Sequence, residues 1–219
     1  MTRDQHAVLA TALAGGLARP PSAPGPAGQA QSLGSGAVGA ALLHVERAAS
    51  GLVSWDTVHA WFTTIAGDAI SAGPGASLYH GAPAVAFAMH GAAGPAGRYQ
   101  RALASLDASV AAITRRRLDQ AHARIDRKDR PALAEFDLIN GLTGLGACLL
   151  RRDPGGGLIR QVLTYLVRLT EPLTSDGLPG WWTSQAPTGN RPANRPGGHG
   201  NFGMAHVVSA ELQCLSGCT

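Results

Sequence analysis

Cysteine is scarce in this chain: Cys148, Cys214 and Cys218 are its three copies in 219 residues. So sparse and odd a set cannot build a disulfide framework, so the fold must rest on buried apolar surface. Lysine is rarer still, with Lys128 alone, and nearly all the positive charge is arginine. Aromatic side chains make up only 5% of the sequence, against 29 glycines and 14 prolines. Small side chains must therefore do much of the packing, and backbones can approach closely. No apolar run reaches the roughly 18 residues of a membrane span. The uncharged stretch 69–97 is interrupted by Pro74, His80, Pro83, His90 and Pro95. The opening MTRDQHAVLA has no cationic start followed by an unbroken apolar core, so no secretory signal is read there. A cytoplasmic protein with no membrane span is the expectation.

Hydrophobic residues account for 45% of the chain and the mean hydropathy is +0.02, which is the balance of a folded chain with a real core. The net charge of +4 is a weak field over this length and does not by itself argue for a nucleic-acid partner. Positive charge concentrates in Arg115, Arg116, Arg117, Arg124, Arg127, Lys128 and Arg130, but Asp119, Asp126 and Asp129 lie among them. That mixture predicts a solvated helix face, with an acidic or nucleic-acid partner as the alternative.

Helical patterning dominates. Helices are predicted at 6–18, from Gly36 through AVGAALLHVERAA, and from Asp56 through VHAWFTTIAGDAI. Further helical stretches cover 77–90, 98–126, 133–151 and 157–170, with a last short piece from Phe202. Pro/Gly-rich segments at 20–32 and 172–201 read as loops, and Pro131 ends the long charged helix. Val and Ile never alternate with period two, so the fold class is all-α. A weak repeat runs through it: GAVG at 36–39, GAPA at 81–84 and GLTG at 141–144 each open an Ala/Leu-rich run. Glycines one turn apart cost helix stability, so they imply a close backbone approach on that face. Uneven helical hairpins of this kind suggest an α-solenoid or α/α-toroid.

Three segments carry a family resemblance: EFDLINGLTGLGACLLRR (135–152), DGLPGWWTSQAP (176–187) and GGHGNFGMAH (197–206). Together they resemble the N-terminal half of lanthionine synthetase C-like (LanC-like) peptide cyclases. The resemblance implies an α/α-toroid, here as an incomplete half-ring. It divides the chain into 1–35, an N-terminal helix and loop; 36–206, the toroid part; and 207–219, a divergent tail, read as out of frame. It implies an enzyme that adds cysteine thiols of a precursor peptide to dehydroalanine or dehydrobutyrine, with zinc favouring the thiolate. A lanthipeptide dehydratase is the implied partner that makes those alkenes. By motif position the catalytic residues are Asp137 and His206. Without the resemblance, Asp137 could be a helix-start acid and His206 a packed core histidine. Trp181, Trp182 and His80 are the substrate-binding candidates; loop packing and a polar cap at a helix turn are the other readings.

The pattern departs after His206, where Val207 stands in place of a glycine. The family's zinc ligands, two cysteines and a histidine, belong to motifs this sequence does not contain. The chain alone is therefore expected to bind no zinc and to be inactive, with self-association through apolar surface that a half-ring leaves uncovered. Cys214 and Cys218, with His199 and His206 upstream, have permissible spacing for a local zinc site, but cysteines of an out-of-frame tail explain them better. The competing function is a non-catalytic helical module that binds a precursor or partner peptide. A nucleic-acid binder lacks a recognition-helix motif, and a glycosidase lacks a second carboxylate to pair with Asp137.

Overall fold

The computed structural model describes residues 3–22, 25–95, 97–184 and 197–201. Among them the regular structure is helical: eight α-helices and one 3-10 turn, with three isolated bridges and no strand. The all-α expectation holds there. No described helix is long and apolar enough to cross a membrane. Packing divides the chain into two units. The first takes described residues up to Ala72 together with Tyr79–Asp107; the second takes Gly73–Leu78 and described residues from Ala108 onward.

The first unit holds α1 (Arg3–Gly16), α2 (Ala37–Ala49), α3 (Trp55–Ile65), α4 (Ala82–Ala93) and the opening turns of α5 (Gln100–Asp126). In α2 the buried residues Val38, Ala41, Val45 and Ala48 recur every three or four positions, which puts them on one face. That face packs on α3 and α4. Ser54 starts α3, its hydroxyl accepting the Asp56 amide, and Val58, Trp61, Phe62 and Ile65 fill the core beneath. α4 is buried along most of its length and is built largely of alanine, which lets α2 come close. His44 of α2 is buried, and its Nε2–H donates to the Leu17 carbonyl at 2.6 Å, which ties down the end of α1.

The second unit contains the rest of α5 with α6 (Leu133–Phe136), α7 (Leu142–Arg152) and α8 (Gly157–Arg168). Its core gathers Ile113, Leu118, Ala121 and Ile125 from α5, Leu142 and Leu145 from α7, and Ile159, Val162 and Tyr165 from α8. Arg130 anchors the loop beyond α8, donating to Asp176 at 2.6 Å and to the Pro179 carbonyl at 2.9 Å.

Three helix boundaries differ from the sequence reading. α3 ends at Ile65 rather than near Ile70, where Ala66 and Gly67 close it. The stretch 77–90 becomes helical only at Ala82, because its first residues pair with another segment: Leu33 donates to Tyr79, and Gly81 to Gln31. The single helix expected at 133–151 is two, α6 and α7, separated by a turn at Asp137–Gly141. The helical piece expected from Phe202 lies outside the described residues.

That turn explains the glycine repeat. Residues 32–39 and 137–144 are built alike. A short helical turn ends at Ser32 in one and Asp137 in the other, whose amides donate to Gln29 and Leu133. The first glycine, Gly36 or Gly141, donates its amide to the carbonyl of Ser32 or Asp137, at 3.1 Å in both. The second, Gly39 or Gly144, leaves room for a loop carbonyl six residues earlier. A Cβ on Gly39 would lie 2.4 Å from the Leu33 oxygen, and one on Gly144 would lie 2.1 Å from that of Leu138. The shared pattern is therefore Ser/Asp-Leu-x-x-Gly-x-x-Gly, longer than the four-residue motif. Ser77-Leu78-x-x-Gly81 fits the same register but closes differently. Gly81 takes φ 73°, and its amide goes to Gln31.

Gly144→Ala is expected to lower stability by about 3 kcal/mol in urea unfolding, because backbone rather than a flexible side chain must move. Gly155→Ala, where a Cβ meets nothing within 4 Å, is the control and is expected to change the midpoint little.

Candidate functional site

Asp137 stands at the junction of α6 and α7 and is 7% exposed. Its Oδ1 accepts the Asn140 amide at 2.5 Å and the Gly141 amide at 2.9 Å. The carboxylate thus covers the start of α7, where free N–H groups and the helix dipole favour an anion. It lies at a break between two helices, inside what the sequence reads as one helix, and the alternative reading of it as a helix-start acid agrees with its place before α7. In the matching turn of the first unit, Ser32 Oγ accepts the Ser35 amide at 3.1 Å. A hydroxyl that takes one amide serves in that turn, whereas Asp137 brings a carboxylate that takes two.

Arg117 reaches the same place from α5. Its guanidinium donates to the carbonyls of Asn140, Pro74 and Ala76, the last two at 2.7 and 2.8 Å, and so joins the Asp137 turn to the segment 73–78. Burial, and then repulsion from Arg116, pull the Arg117 guanidinium below its ordinary range, and the Asp137 carboxylate offsets part of this. Arg117, Gln120, Glu135 and Asn140 line a cleft of about 460 Å³ with Pro74 and Gly75.

The floor of that region is an ionic network. Arg124 is 6% exposed and makes three bonds of 2.8–3.1 Å to the Glu135 carboxylate and one to the Asp129 carbonyl. Tyr165 donates to the same carboxylate at 2.7 Å. Burial first, and Glu135 next, push the Tyr165 phenol well above its ordinary range, so it remains a donor at physiological pH. The solvated face predicted for 115–130 is thus only partly that. Arg117 and Arg124 stand seven residues apart on the side of α5 that carries Leu118, Ala121 and Ile125. That spacing was the signal by which they could have been singled out.

The other candidates have partners of their own. Trp181 packs against the core of the second unit, and its amide donates to Leu169. Trp182 Nε1 donates to the Gly197 carbonyl at 2.7 Å. Thr183 pairs with His199 through two backbone bonds, and Gly200 lies against the Trp181 ring. These contacts pack the tryptophans and 197–201 together. His80 belongs to the first unit, bridged to Ser32, with its ring against Gly28. His206, Cys214 and Cys218 lie outside the described residues.

Zinc finds no ready ligand set among the described residues. No group of three or more His, Cys, Asp or Glu is placed to hold a metal. Cys148 is buried, and burial pushes its thiol up to about 12, so at neutral pH it is a protonated core side chain and not a thiolate ligand. The described residues do not fit the metal.

The family model described as lanthionine synthetase C-like protein matches residues 29–213 of the chain. The match takes in both glycine turns, Asp137, the tryptophan loop and the segment through His206. A search of curated proteins found no match.

Glu135→Gln, which leaves the Arg124 charge buried without its counter-ion, is expected to cost about 3 kcal/mol in urea unfolding. Arg127→Ala breaks the exposed pair with Asp129 and is expected to leave the midpoint within error. Equal effects of the two substitutions would contradict this placement of the network.

Proposed function

The chain belongs to the lanthionine synthetase C-like family, and on that premise we propose that it serves in closing thioether rings in a precursor peptide. In such a reaction a cysteine thiol of the peptide adds to a dehydroalanine or dehydrobutyrine. The sulfur bonds to the β-carbon, the thiol loses its proton and the α-carbon gains one, so substrate and product are isomers. The alkene is the product of an earlier dehydration, which makes a dehydratase the natural supplier of substrate.

Two proton movements need a positioned acid or base. Asp137 and His206 are the residues we assign to them, Asp137 orienting or charge-pairing the imidazole that moves the proton. The observation that carries the assignment is the comparison of the two turns. Where Ser32 serves with a hydroxyl, Asp137 presents a carboxylate held by two backbone amides. Such a carboxylate is fixed in place before substrate arrives, which is what a positioned catalytic group requires. Arg117 secures the turn from the other side.

Zinc, when bound, supplies the chemistry that favours the peptide thiolate. The described residues do not furnish its ligands, so no step here runs through it. We propose that this chain contributes the Asp137 side of the site and that ring closure requires a ligand set supplied by further polypeptide.

The test is a ring-closure assay on a dehydrated precursor with zinc, reading loss of alkylatable thiol by mass spectrometry. The chain alone is expected to give background closure. With a polypeptide carrying the family's zinc-ligand motifs, closure is expected to rise, and Asp137→Ser to reduce it by about a hundredfold or more. Ordinary closure by the chain alone would sink the shared-site proposal. Full activity of Asp137→Ser in the complemented reaction would sink the role assigned to Asp137.

A further inference from the structure

A second cleft, of about 450 Å³, opens in the second unit between α5 and α8. Arg168 Nη1 donates to His122 Nδ1 at 3.2 Å, and its Nη2 donates to Asp126 at 3.0 Å. Arg115 and Arg160 line the cleft further back along their helices. The two helices therefore run in the same direction, joined by side chains near their C-terminal ends and parted by the cleft above. Because arginine can only donate, the His122 bond makes Nδ1 the acceptor and leaves Nε2–H as a donor.

Arg115 and Arg160 are exposed, and neither takes part in an ion pair among the described residues. Arg160 spends one N–H on the Gly155 carbonyl. Their remaining donors face solvent beside Gln161 and Thr164, which are neutral groups able to bond a peptide backbone. Along the outer side of the same helix, Leu163 and Val167 stand one turn apart, 51% and 64% exposed. Most of α8 that packs inward is accounted for by the core, so this pair is surplus to folding.

We propose that this cleft is a docking site for an acidic peptide segment of a partner polypeptide. Carboxylates of the segment pair with Arg115 and Arg160, and its apolar side chains cover Leu163 and Val167. The charge pattern selects a peptide over a nucleic acid. Asp119 shares the lining with the cations and repels a continuous row of phosphates, whereas a peptide can leave a neutral residue opposite it. The adjoining apolar pair has no use for a phosphate backbone. A peptide uses both features, anchoring on apolar contacts and taking register from charge. The site shares no residue with the Asp137 turn and does not depend on ring-closure chemistry.

The test is fluorescence anisotropy of the full chain with a short labelled peptide of repeating Glu-Glu-Leu units. Saturable binding that weakens as salt rises is expected. The double substitution Arg115→Glu/Arg160→Glu is expected to weaken it about tenfold or more, and Leu163→Ser/Val167→Ser severalfold. All four positions are exposed, and circular dichroism checks that each variant keeps its helices. The proposal is overturned by absence of binding at low salt, by binding indifferent to the arginine reversals, or by a duplex oligonucleotide that competes as well as the peptide.

Discussion

The close passage of a loop carbonyl over the start of a helix is the contact on which the rest of this structure depends. At Gly144 the Leu138 oxygen occupies the space of a side chain, and at Gly39 the Leu33 oxygen does the same. Glycine is tolerated there at a cost to the helix of about 1 kcal/mol. In return the chain can reverse over the helix N-terminus and satisfy its amides from within. Each unit contains one such turn, and in each the following helix carries the core: Val38, Ala41 and Val45 after the first, Leu142 and Leu145 after the second. A low aromatic content suits this arrangement, since backbones that come so close leave space mainly for alanine, valine and leucine.

The same geometry gives Asp137 its character. A side chain at that position must accept amides, and both a hydroxyl and a carboxylate can do so. A carboxylate in one turn and a hydroxyl in the other is the contrast on which the role proposed for Asp137 rests. Around Asp137 the unit is unusually well tied. Arg117 bonds the segment 73–78 to the turn, and Arg124, Glu135 and Tyr165 form a network just beneath. A rigid surround of this kind is what the proton-transfer role proposed for Asp137 requires.

Much of this was legible in the residues. Period-3.6 patterning fixed the helical class, and the paired glycines announced a close approach before any contact was known. The family resemblance rested on three segments, 135–152, 176–187 and 197–206, and the family match covers all three. The break between α6 and α7 was hidden because LAEFDLINGLTGLGACLL is apolar at helical spacing throughout, and only the capture of the Asn140 and Gly141 amides by Asp137 interrupts it. The burial of Arg124 and half-burial of Arg117 were hidden by the acids beside them, which made the segment look uniformly solvated. The relation of Ser32 to Asp137 escaped a reading confined to Gly-x-x-Gly, since a serine and an aspartate look unalike until both are seen accepting the same amide.

The central claim is that the Asp137 turn folds on hydrogen bonding alone and carries its carboxylate for another purpose. Hydrogen exchange of the Asn140 and Gly141 amides, followed by NMR in the native chain and in Asp137→Ser, tests it most directly. The account predicts that both amides stay protected in the serine variant, as the Ser32 turn implies. Exchange at the rate of an open loop in that variant, with the native chain protected, would mean that the charge itself holds the turn and would contradict the claim.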